Sequence, residues 1–293
     1  MMEKQKRHRK DRRDGRYLYD MDAFHVIMAH LLPRRTACES FLHIKVDLSA
    51  VVEYLKQKNK SDAQNKYTIF HVIAAAMVKL IVLRPHLNRF IAGRRFYQRD
   101  DVSLAFVVKR HFSDDGGEGV LSLNFNKDDN IDMLAGRIAQ GSKAERSGDS
   151  SSTMDIVETL GHLPRFMLAF IVGVLRILDF FGRVPYSITN GDPNYATLFI
   201  TNLGSIKLDA AYHHLNDWGT NSLFVSIGEK HQARFPTGDG ASEFRPAINL
   251  GLTLDERIVD GFYCSRSIRL LKYLLEHPQL LDAPFGEEVT YES

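Results

Sequence analysis

The stretch TLDERIVDG, residues 253–261, stands between two segments of opposite periodicity. Before it, FRPAINLGLTLDE (244–256) carries the apolar and β-prone residues of a strand, and after it SRSIRLLKYLLEHP (265–278) has the 3.6-residue spacing of a helix with Pro278 just past its end. A strand delivering Glu256 and Arg257 into a short turn, and the pair Asp260-Gly261 leading into a helix, is a compact way to present charged groups at the end of a sheet.

Working outward, SFLHIKVDLS (40–49) reads as a strand and residues 49–59 as a helix with Ser49 near its cap. The Ala-rich run TIFHVIAAAMVKLIVLRPHLN (68–88) reads as a long, close-packed helix ended by Pro85. Short strands follow at RRFYQRD, 102–110 and 119–126, the last two joined by the turn residues SDDGGEG. Residues 127–145 read as a helix that enters the polar loop SGDSSST, and 196–206 and 221–235 as further strands. Strands and helices mix without βαβ regularity, which predicts an α+β sandwich around a mixed sheet with flanking helices. No internal repeat is present.

The order of these pieces resembles the catalytic domain of the dihydrolipoyl acyltransferases of 2-oxo acid dehydrogenase complexes, whose fold is shared with chloramphenicol acetyltransferase. The resemblance runs from about residue 24 to the C-terminus. It rests on HIKVDLSAV (43–51), RPHLN (84–88), LFITNLGSI (198–206) and TLDERIVDG, which follow the family's strand ending in Val-Asp, its Pro-x-x-Asn helix end, its Asn-Leu-Gly strand and its Asp-His-Arg-x-x-Asp-Gly loop. It implies a chloramphenicol acetyltransferase-like sandwich, coenzyme A as acyl donor, and a homotrimer with active sites between subunits. In that family the loop His is the general base and a hydroxyl on the Asn-Leu-Gly strand stabilises the oxyanion. Carried over by position, Thr201 falls on that hydroxyl with Asn202 beside it, and Arg257, Asp260 and Gly261 keep the loop.

Glu256 occupies the position of the missing base. An ordinary carboxyl group, with a pKa near 4.3, is a weak partner for a thiol near 8.5 unless an apolar channel raises it. Two readings stay open: a substituted base in a CoA-dependent acyltransferase acting on a small or lipidic acceptor, or a catalytically inactive binding or scaffold protein of the same fold. A second source of a base is AAYHHLNDWG (210–219), where His213 and His214 follow the Asn-Leu-Gly strand and, being vicinal, point in different directions. Asp260 is expected to be structural, paired to an arginine such as Arg257. Trp218 could pack internally or stack on a ligand.

Composition narrows the rest. With 293 residues, 44% hydrophobic and 25% charged, the chain can bury a large core. The two cysteines, Cys38 and Cys264, have neither disulfide-framework nor zinc-ligand spacing, so a reducing, cytoplasmic compartment and no metal are expected. The segment MMEKQKRHRKDRRDGR (1–16) lacks the apolar core of a secretory signal and opens a basic, mobile arm over 1–23. Contact of the arm with an anionic surface is open, with nucleic acid disfavoured because no folded nucleic-acid motif accompanies it. Only about 23 residues precede the resemblance, too few for the lipoyl and peripheral-subunit-binding domains of the family. The apolar run FMLAFIVGVL (166–175), inside an inserted helix at about 164–182, is too short to span a bilayer. Its wide apolar face predicts burial, an oligomer contact, a lid over an acyl-chain pocket, or a membrane-surface element.

Overall fold

The computed structural model describes residues 8–61, 66–109, 118–147, 161–189, 192–238 and 240–291. In chain order the elements are β1 (Arg16–Tyr17), α1 (Ala23–Leu31), β2 (Glu39–Asp47), α2 (Ser49–Ser61), α3 (Ile69–Leu83), β3 (Arg89–Ala92) and β4 (Arg95–Gln98). Then come β5 (Val102–Lys109), β6 (Glu118–Phe125), α4 (Ile131–Ser147), α5 (Arg165–Phe180) and the single turn α6 (Tyr186–Thr189). The chain ends with β7 (Leu198–Asn202), β8 (Leu223–Ile227), β9 (His231–Pro236), β10 (Ser242–Asp255) and α7 (Gly261–Glu276). The loops read at SDDGGEG and SGDSSST fall largely outside the described residues.

The main sheet is mixed, in the order β2-β10-β8-β7-β5-β6, with β9 pairing β10. The pairs β7/β8 and β5/β7 are parallel and the others antiparallel. Alternation puts Ile44, Val46, Leu104, Phe106, Leu198, Ile200, Val225, Leu250, Leu252 and Leu254 on one face, where they pack with α3 and α7 side chains such as Ile73, Met77, Leu270 and Leu274. Residues Val72–Ile81 of α3 are all buried, the three alanines allowing close approach. Lys79 sits among them and donates to the Pro284 carbonyl at 2.9 Å, so its ammonium is not left unpartnered.

The opposite face carries Glu39, Phe41, Thr253, Asp255, Phe224, Ser226, Phe199 and Thr201 by the same alternation. The connection from β7 to β8 crosses it. Ser226 Oγ donates to the Ala211 carbonyl, and a Cβ at Gly251 would meet that carbonyl at 2.7 Å, so only glycine lets the crossing segment lie this close to β10. This crossing is what carries His213 and His214 over the sheet.

Three expectations are corrected. The single strand expected at 221–235 is two, because the chain leaves the ladder at 228–230 and re-enters on the same edge of β10. From residue 8 onward the basic arm is docked: Arg12 is buried, ion-paired to Asp14 and Asp179, and β1 pairs β4 in a small sheet with β3. Two carboxylates outside the arm anchor it, Asp179 to Arg12 and Asp100 to Arg16, where composition alone showed a run of basic charge. Finally, α5 is not shielded within the chain: it has no buried residue, and Phe166 and Phe170 are 75% and 73% exposed.

Candidate active site

The loop of TLDERIVDG is built around a carboxylate that sequence reading passed over. Asp255, at 0% exposure, ends β10 and accepts from Arg257 Nε at 2.8 Å and Nη2 at 2.6 Å, and from the Arg257 backbone N–H at 3.2 Å. Arg35 Nε lies 3.8 Å from it. Arg257 Nη1 then donates to the Leu32 carbonyl at 2.6 Å, and the Glu256 N–H to the Cys38 carbonyl at 2.8 Å, clamping the loop to the end of α1 and the approach to β2. Burial alone works against the Arg257 guanidinium, but hydrogen bonds and charge from Asp255 outweigh it and its pKa is held above the ordinary value. Arg35 moves the other way, since burial dominates there.

Arg257 is turned toward Asp255 and the Leu32 carbonyl, and the expected Asp260–Arg257 pair is replaced by the Asp255–Arg257 pair. Asp260 is exposed and caps α7, accepting from the Tyr263 N–H at 2.7 Å. Gly261 follows as the first helical residue, with no atom within 4 Å of a Cβ placed there.

Glu256 is exposed and lies on the helix side of the sheet. It lines a groove of about 870 Å³ with Phe24 and Met28 of α1, Leu42, Leu254 and Ile268. Cys264 lines the same groove, and burial pushes its thiol pKa up, so it is not a ready nucleophile.

The histidines occupy the other side. His213 stacks on Phe224 with centroids 4.2 Å apart and planes 5° from parallel, and Phe224 stacks in turn on Phe199 at 5.1 Å. Its Nδ1 is 2.7 Å from the His214 carbonyl. The ring of His214 is 78% exposed, while its Nδ1 sits 2.6 Å from Oε2 of Glu39, a side chain only 2% exposed. The other oxygen of Glu39 accepts from the Leu215 N–H, so the carboxylate is fixed from two sides. Because a carboxylate accepts, Nδ1 carries a proton, which in the neutral ring leaves the lone pair on Nε2: an oriented base of the His–carboxylate type. Glu39 lies directly across from Asp255 in the ladder, beside the loop.

Thr201 is half-buried near the end of β7, paired with Ser226, which is paired with Gly251; Asn202 is exposed next to it. Gly251 precedes Glu256 by five residues along β10 and Thr201 lies two strands over, so within one chain Thr201 and the loop are separated by about 20 Å. One chain thus brings His214, Glu39, Asp255 and the loop together and leaves Thr201 apart. Trp218 packs edge-on against Tyr195 and donates to Asp192 at 2.7 Å, as an internally satisfied aromatic. Among the described residues no group of three His, Cys, Asp or Glu side chains is placed to hold a metal ion.

A mixed sheet with helices on one face and a charged loop at the end of its longest strand defines the acyltransferase fold of the chloramphenicol acetyltransferase type. Residues 187–282, about a third of the chain, match the model of the 2-oxoacid dehydrogenases acyltransferase catalytic domain. The probable dihydrolipoamide acetyltransferase of Listeria monocytogenes superposes with a TM-score of 0.59 at 15% identity over 87% of this chain and 89% of its own. The cubic core of the pyruvate dehydrogenase multienzyme complex gives 0.60 at 16% identity, covering 88% of each chain. Chloramphenicol acetyltransferase gives 0.52 at 11% identity over 89% of this chain and 99% of its own. At these identities the structural likeness establishes the fold, and the resemblance to the acyltransferase catalytic domain holds at that level. No curated protein sequence matches the chain.

Proposed function

We propose that this chain is a CoA-dependent acyltransferase in which His214, oriented by Glu39, is the general base in place of the loop histidine, and that it works as a homotrimer. The observation carrying this reading is the His214–Glu39 contact of 2.6 Å, with the ring open to solvent and the carboxylate buried. His214 Nε2 takes the proton of an acceptor thiol or hydroxyl as its sulfur or oxygen attacks the thioester carbonyl carbon. The Thr201 hydroxyl of a neighbouring chain donates to the resulting oxyanion. Collapse breaks the carbon–sulfur bond, and the imidazolium returns the proton to the departing CoA thiolate. The separation of Thr201 from the loop within one chain supports a site shared between copies.

The test is transfer from a panel of acyl-CoA donors to thiol and alcohol acceptors. His214→Asn lowers the rate by about 10²–10⁴, Glu39→Gln lowers it in the same direction, and Glu256→Gln costs little. Equal losses for Glu256→Gln would move the base to the loop. One observation favours the inactive scaffold reading, namely that a carboxylate stands where the family loop places its imidazole; absence of CoA binding by calorimetry together with no transfer would select it.

A further inference from the structure

We propose that α5 and the arginines gathered at its C-terminal end form a docking surface for an anionic phospholipid membrane, with the helix lying flat on the lipid. This inference does not rest on the transfer chemistry. Sixteen residues of helix extend about 24 Å, short of a hydrocarbon core of about 30 Å, and no helix among the described residues is long and apolar enough to cross a membrane. At 100° per residue, Phe166, Phe170, Ile177 and Phe181 fall within about 60° of arc, and all four are exposed. Met167, Val174 and Phe180 widen that stripe. The charged residues Arg165, Arg176 and Asp179 lie together on a different face of the helix. Such a helix, apolar on one side and cationic on the other, suits the boundary between headgroups and acyl chains.

The surroundings decide the sign of the partner. Asp179 is the helix's only acid, and it is paired to Arg12, which it shares with Asp14: Arg12 Nη1 donates to the Asp179 carbonyl at 2.7 Å and Nη2 lies 3.2 Å from Oδ1. The turn between β3 and β4 abuts the helix end so closely that a Cβ at Gly93 would fall 2.2 Å from the Phe180 carbonyl, which sets Arg94 beside it. Arg34 and Arg176 line one cleft with Phe180, where the acids are Asp179 and Asp217, the latter accepting from Thr36. Arg13 lines a second cleft with Gly182, Asp14 and Asp192, and Arg183 follows in the turn after the helix, so five exposed arginines, Arg13, Arg34, Arg94, Arg176 and Arg183, lie near the C-terminal end of α5. A membrane carrying negative headgroups over an apolar interior matches both features at once, and each arginine near such a surface strengthens binding by about fivefold.

Flotation of the full chain with vesicles of phosphatidylcholine alone, or with a quarter phosphatidylglycerol, is the test. Binding is expected to the anionic vesicles, to weaken with salt, and to be slight on phosphatidylcholine alone. The triple variant Phe166→Ser, Phe170→Ser, Ile177→Ser should bind at least about tenfold less, and Arg94→Glu with Arg176→Glu about as much less. As a reading independent of those variants, Phe170→Trp should shift its emission to the blue on anionic vesicles. Failure of the wild type to float, unchanged binding by the triple variant, or no emission shift would each overturn the proposal. So would a triple variant that floats normally but has lost oligomeric mass in light scattering, since the face would then be a contact between copies of this chain.

Discussion

Asp255→Asn removes the charge around which the loop is built while keeping the side chain's shape. Asp255 and Arg257 are 0% and 2% exposed as side chains, and the carboxylate takes two hydrogen bonds from the guanidinium, at 2.8 and 2.6 Å, with Arg35 at 3.8 Å. The asparagine leaves a buried guanidinium facing an amide that can accept at one oxygen only. Breaking one partner of a buried pair costs about 3–5 kcal/mol. A chain of this size shifts its melting temperature by about 2–4 °C per kcal/mol, so a fall of roughly 6–20 °C is expected. Differential scanning calorimetry reads it, with Asp255→Asn combined with Arg257→Met as the control that removes the stranded charge and recovers part of the loss. A single variant melting within about 2 °C of wild type would refute the reasoning, because a buried, doubly bonded carboxylate cannot be that dispensable.

Two other outcomes follow from local geometry. Asp260→Ala removes the cap of α7 and should cost about 0.5–2 kcal/mol in chemical denaturation, while Asp260→Asn, still able to accept from Tyr263 N–H, should cost far less. His71 Nδ1 accepts from the Thr68 N–H at 3.1 Å at the start of α3, and burial lowers its pKa from the ordinary 6.5. A histidine held neutral in this way binds fewer protons folded than unfolded. Its contribution is complete above about pH 6.5 and is lost as pH falls from there through the folded value. His71→Gln, which preserves an acceptor, should therefore flatten the decline in melting temperature between about pH 8 and about pH 5, in part only, since burial lowers His86 in the same direction. An unchanged slope would contradict this.

Much of the fold was legible because alternation and Pro or Gly punctuation are local. The run of β10 into TLDERIVDG, the end of α3 before Pro85 and the strand β5 need nothing beyond neighbouring residues. The helix α1 was missed although Asp22 caps it by accepting from the His25 N–H at 3.1 Å; AFHVIMAHL is apolar on too many sides to show a stripe. The two-residue β1 has no pattern to read and is set by tertiary pairing alone. The site divides the same way. Asp255 stood in plain view beside Glu256, and its burial between two arginines is a consequence of where β10 ends in space. Glu39 lies 175 residues from His214, so no spacing rule joins them, and the glycine at 251 that lets their segments meet is meaningful only once the crossing chain is in place.

The shared site is tested most directly by complementation. Thr201→Val and His214→Asn chains, carrying different affinity tags and co-expressed, are purified as mixed oligomers, and transfer from acyl-CoA is measured against oligomers of each variant alone. Mixed oligomers are predicted to recover activity well above either parent, because an intact Thr201 from one chain meets an intact His214 from the next. Mixed oligomers no more active than the parents, beside an active wild type, would contradict a site built from these two residues across two chains.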